Sequence, residues 1–148
     1  MPVLIDNQQN NYPIDIDRLE KIGQFILADL SLSDAELSIV CVNDETIARL
    51  NEQYRNKIGS TNVLSFSMQE GEYAHLRQNM LGDVVISVDT VLQEAKVFNV
   101  SFSHRLYFLL IHGVLHLIGY DHETSDEDAQ KMDHKTQSLF SKVINDAI

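Results

Sequence analysis

The run "FSHRLYFLLIHGVLHLIG", residues 102 to 119, is apolar nearly all the way round a helical wheel. A helix of that kind has no solvent face and must be covered on most sides by other elements. Its continuation "LYFLLIHGVLHLIGY" is shorter than the ~20 residues a membrane span needs, and it carries two histidines. The run therefore predicts a central buried helix in a cytoplasmic protein, with no membrane partner. A chain of 148 residues fits one domain, 1–148, with a core that needs no disulfides. Cys41 is the only cysteine, which excludes an intrachain disulfide, and its setting in "LSIVCV" reads as a buried strand. The N-terminus "MPVLIDNQQNNYP" lacks the basic and apolar regions of a secretory signal.

Around that helix the hydrophobic pattern interleaves short strands with helices. "VLID", "ELSIVCV", "TNVLSFS" and "GDVVISV" read as strands, the third alternating as if one of its faces were solvated. "IDIDRLEKIGQFILADL" puts Ile16, Leu19, Ile22 or Gly23, and Ile26 or Leu27 at helical spacing. "NDETIARLNEQYR" is a second helix, capped by Asn43 or Asp44, with Ile47 and Leu50 inward. "DTVLQEAKVF" is a third that Asp89 is placed to cap, and "QEGEYAHLRQNM" is a loop. The last helix opens on "SDED", a capping serine with an acid three residues on, and runs through Met132, Leu139, Val143 and Ile144. The expectation is about four strands and four or five helices in an α+β or α/β arrangement, whose strand order periodicity cannot give.

The central helix ends in "HGVLHLIGYDH", with His112, His116 and His122 at i, i+4 and i+10 and Gly119 between the last two. Residues four apart share a helix face, so His112 and His116 can present imidazoles to one ion. His122 reaches the same ion only if the chain turns, and glycine readily takes the left-handed conformation that ends helices. Three neutral imidazoles leave a tetrahedral ion one open position, the mark of a catalytic site. The frame resembles that of the metzincin-type zinc proteases, where the residue after the first histidine is a glutamate serving as general base. Here it is Gly113.

"HGVLHLIGYDH" also resembles the signature of the YbeY family of bacterial metal-dependent endoribonucleases. "LNEQYRNKIGSTNVLSFS" and "LGDVVIS" resemble that family's second and third blocks, in the same order along most of the chain. The resemblance implies an α+β fold with a mixed sheet and a zincin-like ligand helix packed on it. It implies a single-strand-specific endoribonuclease acting in maturation of the small-subunit ribosomal RNA 3′ end and in ribosome quality control. It also implies zinc held by His112, His116 and His122, and Arg55 in the position of the family's functional arginine. The expected partners are ribosomal RNA and the small ribosomal subunit, with ribosomal proteins or assembly factors beside it. The family usually has aspartate where this chain has Asn62, so Asn62 receives no catalytic role.

The chemistry of the residues agrees with such a reaction. Arg55 and His112 are the catalytic candidates: a planar guanidinium suits a phosphate and the charge building on it. Lys57 is a nearby electrostatic helper, and the alternative for Arg55 is a surface pair with Glu52. Asp121 either serves a histidine or stabilises the turn, with the turn favoured. Arg105 is read as a structural pair, Met132 as core, and His75, His104 and His134 as lying outside the site. A net charge of −11 argues against a general nucleic-acid binder but leaves room for a local basic patch. The competing functions are a zinc hydrolase of another substrate, such as a peptide, and a ribosome-assembly factor with a structural metal.

Overall fold

In the computed structural model, which describes residues 3–68, 79–121 and 125–147, four strands form one sheet. These are β1 (Val3–Asn7), β2 (Glu36–Val42), β3 (Val63–Ser67) and β4 (Met80–Ser87), in the spatial order β1-β2-β4-β3. β1, β2 and β4 run parallel, while β3 pairs antiparallel with β4 as the edge strand. The sheet is thus mixed, as expected. Parallel neighbours need a crossover, and α1 (Ile16–Asp29) supplies it between β1 and β2. Between β2 and the end of the sheet come α2 (Asp44–Arg55) and then β3. α3 (Val88–Phe98), α4 (Phe102–Leu117) and α5 (Asp126–Lys142) follow β4, and a π-helical turn covers Val143–Ala147.

Side-chain alternation along the strands sorts the core into two parts. Leu37, Ile39 and Cys41 of β2, with Val84 and Ile86 of β4, face α1, α4 and α5 and belong to the larger core. Val42, Leu64 and Val85 face the other way and pack with Ile47 of α2, with Val40, Leu50 and Phe66 at the margin. α4 buries Leu106, Tyr107, Leu109, Leu110, Ile111, Val114, Leu115 and Leu117, and it packs against β3, β4, α1, α3 and α5. Each such side chain contributes ~1.5–3 kcal/mol on leaving water, so this one helix ties the layers together. Among the described residues, no helix is long and apolar enough to cross a membrane. Cys41 is fully buried, and burial, helped by the charge of Asp6, pushes its thiol up to about 11.

Most local signals act where the sequence puts them. Asn43 caps α2 by accepting from Thr46 N, and Ser125 caps α5 by accepting from Asp128 N. Leu19, Ile22, Gly23, Ile26 and Leu27 form the buried face of α1, and Met132 is wholly buried. Two expectations need correction. α3 is capped by Ser87, not Asp89; the Asp89 carboxylate accepts instead from Asp44 N at 2.9 Å and Asn11 Nδ2 at 2.8 Å. Nor does β3 have a solvated face, because Leu64 and Phe66 lie under α2 while Val63 and Ser65 lie under α4. Most of the expected loop, residues 69–78, lies outside the described residues.

Candidate active site

The last turns of α4 set the histidine geometry. Ser101 starts the helix by accepting from His104 N, and the helix then runs without a break to Leu117. Gly119 stops it at φ +103°, with Gly119 N donating to His116 O at 3.1 Å and Tyr120 N to Leu115 O at 3.0 Å. That paired bonding of the final carbonyls is the Schellman arrangement, for which a left-handed residue is needed. His112 and His116 project from one face of α4, ring centroids 4.6 Å apart and nearly perpendicular, with Nε2 atoms 3.1 Å apart. Two imidazole nitrogens at that distance can share a proton or a cation. His122, the third expected ligand, lies outside the described residues. Among the described residues, no third His, Cys, Asp or Glu completes a metal-binding group.

Gly113 sits between the histidines but points elsewhere, since one residue turns an α-helix by about 100°. A Cβ there would stand 2.6 Å from Val84 Cγ1 and 3.1 Å from Val63 Cγ2. Its carbonyl accepts from Ser65 Oγ at 2.8 Å. The glycine therefore lets α4 lie directly on β3 and β4. A glutamate at this position would be driven into the sheet rather than into the site.

Arg55 arrives from the opposite face of the sheet. It is the last residue of α2, followed by Asn56 in the left-handed conformation at φ 56°. Asn62 O and Met68 N bond to β4, which turns the alternate residue Ser65 outward at the free edge. Arg55 Nη2 donates to the Ser65 carbonyl, and the guanidinium lies 5.2 Å from the Phe66 ring centre. Tyr54 meets Phe66 edge-on at 5.6 Å. The expected alternative, a pair with Glu52, is replaced by this reach to a neutral carbonyl.

One cleft of about 620 Å³ joins these parts, with Arg55, Lys57, Asn62, Ser65, His112, His116 and Asp121 among its lining residues. Among the described residues its charged side chains are two cations and one carboxylate, in a chain of net charge −11. Asn51, Thr61 and Ser65 also line it, and sequence reasoning missed all three. Asn51 is buried, and its amide donates to Gly59 O at 3.0 Å, holding the loop that carries Lys57. An asparagine at an inward helical position was the available signal. Arg105 is the structural pair expected, with Nε 2.8 Å from Glu94 Oε1. His104 packs edge-on against Phe140 and His134 is exposed on α5, whereas His75 is outside the described residues.

Fold and cleft define a class first: an α+β protein with imidazoles and cations gathered at the open edge of a mixed sheet. Known proteins narrow that class. The family described as Endoribonuclease YbeY matches residues 4–144. The Endoribonuclease YbeY of Geobacter metallireducens is 48% identical over 142 residues, covering 95% of each chain. That of Syntrophotalea carbinolica is 46% identical over 140 residues, covering 94% of this chain and 93% of its own. Among solved structures, the solution structure of TM1509 from Thermotoga maritima matches with a TM-score of 0.65 and 26% identity. It covers 95% of this chain and 88% of that one. The chain belongs to the YbeY endoribonuclease family.

Proposed function

We propose that this chain is a single-strand-specific, metal-dependent endoribonuclease that matures the 3′ end of small-subunit ribosomal RNA and serves ribosome quality control. The whole chain acts as one catalytic domain in the cytoplasm. Its partner is the small ribosomal subunit, whose proteins or assembly factors supply positive surface that a chain of net charge −11 lacks.

The observation that carries the mechanism is the 3.1 Å separation of the His112 and His116 Nε2 atoms on the cleft that Arg55 also lines. Two nitrogens each ~2.0–2.1 Å from one tetrahedral ion stand about 3.3 Å apart, so the pair fits a shared cation. The pair also lies in the last turns of α4, where the helix dipole favours positive charge. We assign His112, His116 and His122 as ligands of one zinc ion, in keeping with the affinity of imidazole for that metal. When bound, zinc supplies Lewis acidity toward phosphate and a more acidic water.

The remaining work falls to the chain's own groups. Arg55 keeps N–H groups beyond the one it gives Ser65, and these grip the non-bridging phosphate oxygens. Phe66 below the guanidinium fixes its plane, and Lys57 adds charge at the rim. Asp121, which lines the cleft a few residues after His116, either stabilises the turn or accepts an imidazole N–H. The packing of Gly113 against Val84 speaks against a peptidase of the metzincin type, whose glutamate base would occupy that position.

Purified protein tests this on a single-stranded RNA copying the small-subunit 3′ end. Cleavage is expected, and it should fall by about a hundredfold or more with a chelator, in His112→Ala and in Arg55→Ala. Cleavage that both substitutions leave undiminished belongs to another nuclease and removes the reading.

A further inference from the structure

We propose that Asn62 determines specificity in the cleft: its side-chain oxygen accepts a hydrogen bond from a donor group of the bound RNA. The proposal rests on the endoribonuclease reading and deepens it. Asn62 stands just before β3 and lines the cleft, half-buried. Its Nδ2 lies 3.2 Å and 3.5 Å from the two carboxylate oxygens of Glu94 on α3. A carboxylate only accepts, so the NH₂ group must face Glu94 and Oδ1 must face away.

Each end of this arrangement is held. Arg105 Nε donates to Glu94 Oε1 at 2.8 Å, and its guanidinium lies 4.5 Å from the Phe98 ring centre and 5.0 Å from that of Phe108. The Asn62 backbone is tied down as well, its carbonyl accepting from Ser87 N at 3.0 Å. With the amide anchored at both points, Oδ1 has little freedom to turn. Among the described residues it accepts no hydrogen bond. Polar groups at least partly withdrawn from water are usually matched by a partner, and here the cleft is where one can come from.

Charge supports the same conclusion. RNA carries a negative charge at every phosphate, and an amide oxygen accepts a hydrogen bond without adding charge of the same sign. The charge of Glu94 behind the amide is already neutralised by Arg105. RNA offers two kinds of donor to such an oxygen, the 2′-hydroxyl and the N–H groups of unpaired bases. The chemistry asked of both is the same, one hydrogen bond to a neutral acceptor.

The test measures cleavage of a short single-stranded RNA by wild type, Asn62→Ala and Asn62→Leu. Leu fills the volume that Ala leaves empty, so at least one variant should keep the fold. The same RNA is then made with single 2′-deoxy substitutions across the cleavage site, and with inosine for guanosine or purine riboside for adenosine. In wild type, one of these changes should raise KM about three- to tenfold, as loss of one neutral hydrogen bond does. The variants should show that rise on the unmodified RNA and no further rise on the modified one. A 2′-deoxy position behaving so identifies the ribose as donor, and a base analogue identifies the base. If every modification costs the variants as much as it costs wild type, Asn62 accepts nothing from RNA and the proposal falls. Wild-type cleavage would still leave the endoribonuclease reading standing; absence of any wild-type cleavage removes that reading instead.

Discussion

The two ends of α4 carry similar chemistry to opposite effect. Near its N-terminus, Arg105 is matched by a carboxylate and enclosed by two aromatic rings, with 17% of its side chain exposed. Near its C-terminus, two imidazoles converge at the wall of a cleft, and the arginine that joins them is exposed and bonded to a neutral carbonyl. An arginine facing Glu94 has its charge cancelled within the protein, so it shapes the wall. An arginine facing Ser65 O keeps its charge for whatever enters. The partner, and not the type of residue, separates a charge cancelled within the protein from one left uncancelled at the cleft.

The comparison can be broken first at the imidazole end. His116→Ala, like treatment of wild type with a chelator, should lower RNA cleavage by on the order of 10³-fold, read from initial rates. Arg55→Ala should cost about 10²-fold, and Arg55→Lys should recover only part, because an ammonium lacks the planar fork. If Lys restores full activity, only charge is needed there and the bidentate grip is wrong. Between the two ends, Gly113→Ala forces a Cβ against Val84 Cγ1 and should destabilise the fold by about 1–3 kcal/mol in urea titration. Adding Val84→Ala should return some of that loss, since the two positions touch. At the other end, Arg105→Met leaves Glu94 without its cation. At a partly exposed pair this should cost about 1–2 kcal/mol of stability, with cleavage falling by less than about tenfold. Should Arg105→Met abolish cleavage in a folded protein, the division between the ends is mistaken.

How much of this could be read in advance follows the range of each interaction. The caps at Asn43 and Ser125, the buried face of α1 and the turn at Gly119 depend on residues a few positions apart, and their spacing shows them. The histidine pair belongs to the same class, because one helical turn places both rings. The mixed character of the sheet came with the family resemblance, but the order β1-β2-β4-β3 rests on pairings that no local period encodes. Asp89 was misplaced as a cap for a related reason: Asn11 and Asp44, distant in sequence, both bond its carboxylate. Ser65 looked solvated because alternating serines usually are, yet its hydroxyl bonds a carbonyl on α4. Gly113 had seemed to mark a lost catalytic base; its contact with β4 makes it a packing residue. The line from Arg105 through Glu94 to Asn62 joins two helices and the residue before β3, and leaves no mark in any one of them.

The central claim is that the paired imidazoles at the end of α4 hold one catalytic metal ion. Zinc stoichiometry on the purified, reconstituted protein tests it most directly, with His116→Ala prepared alongside. The account predicts one equivalent of zinc in wild type and loss of most of it in a His116→Ala protein that remains folded. Equal zinc in the two proteins, or none in wild type under saturating metal, would contradict it.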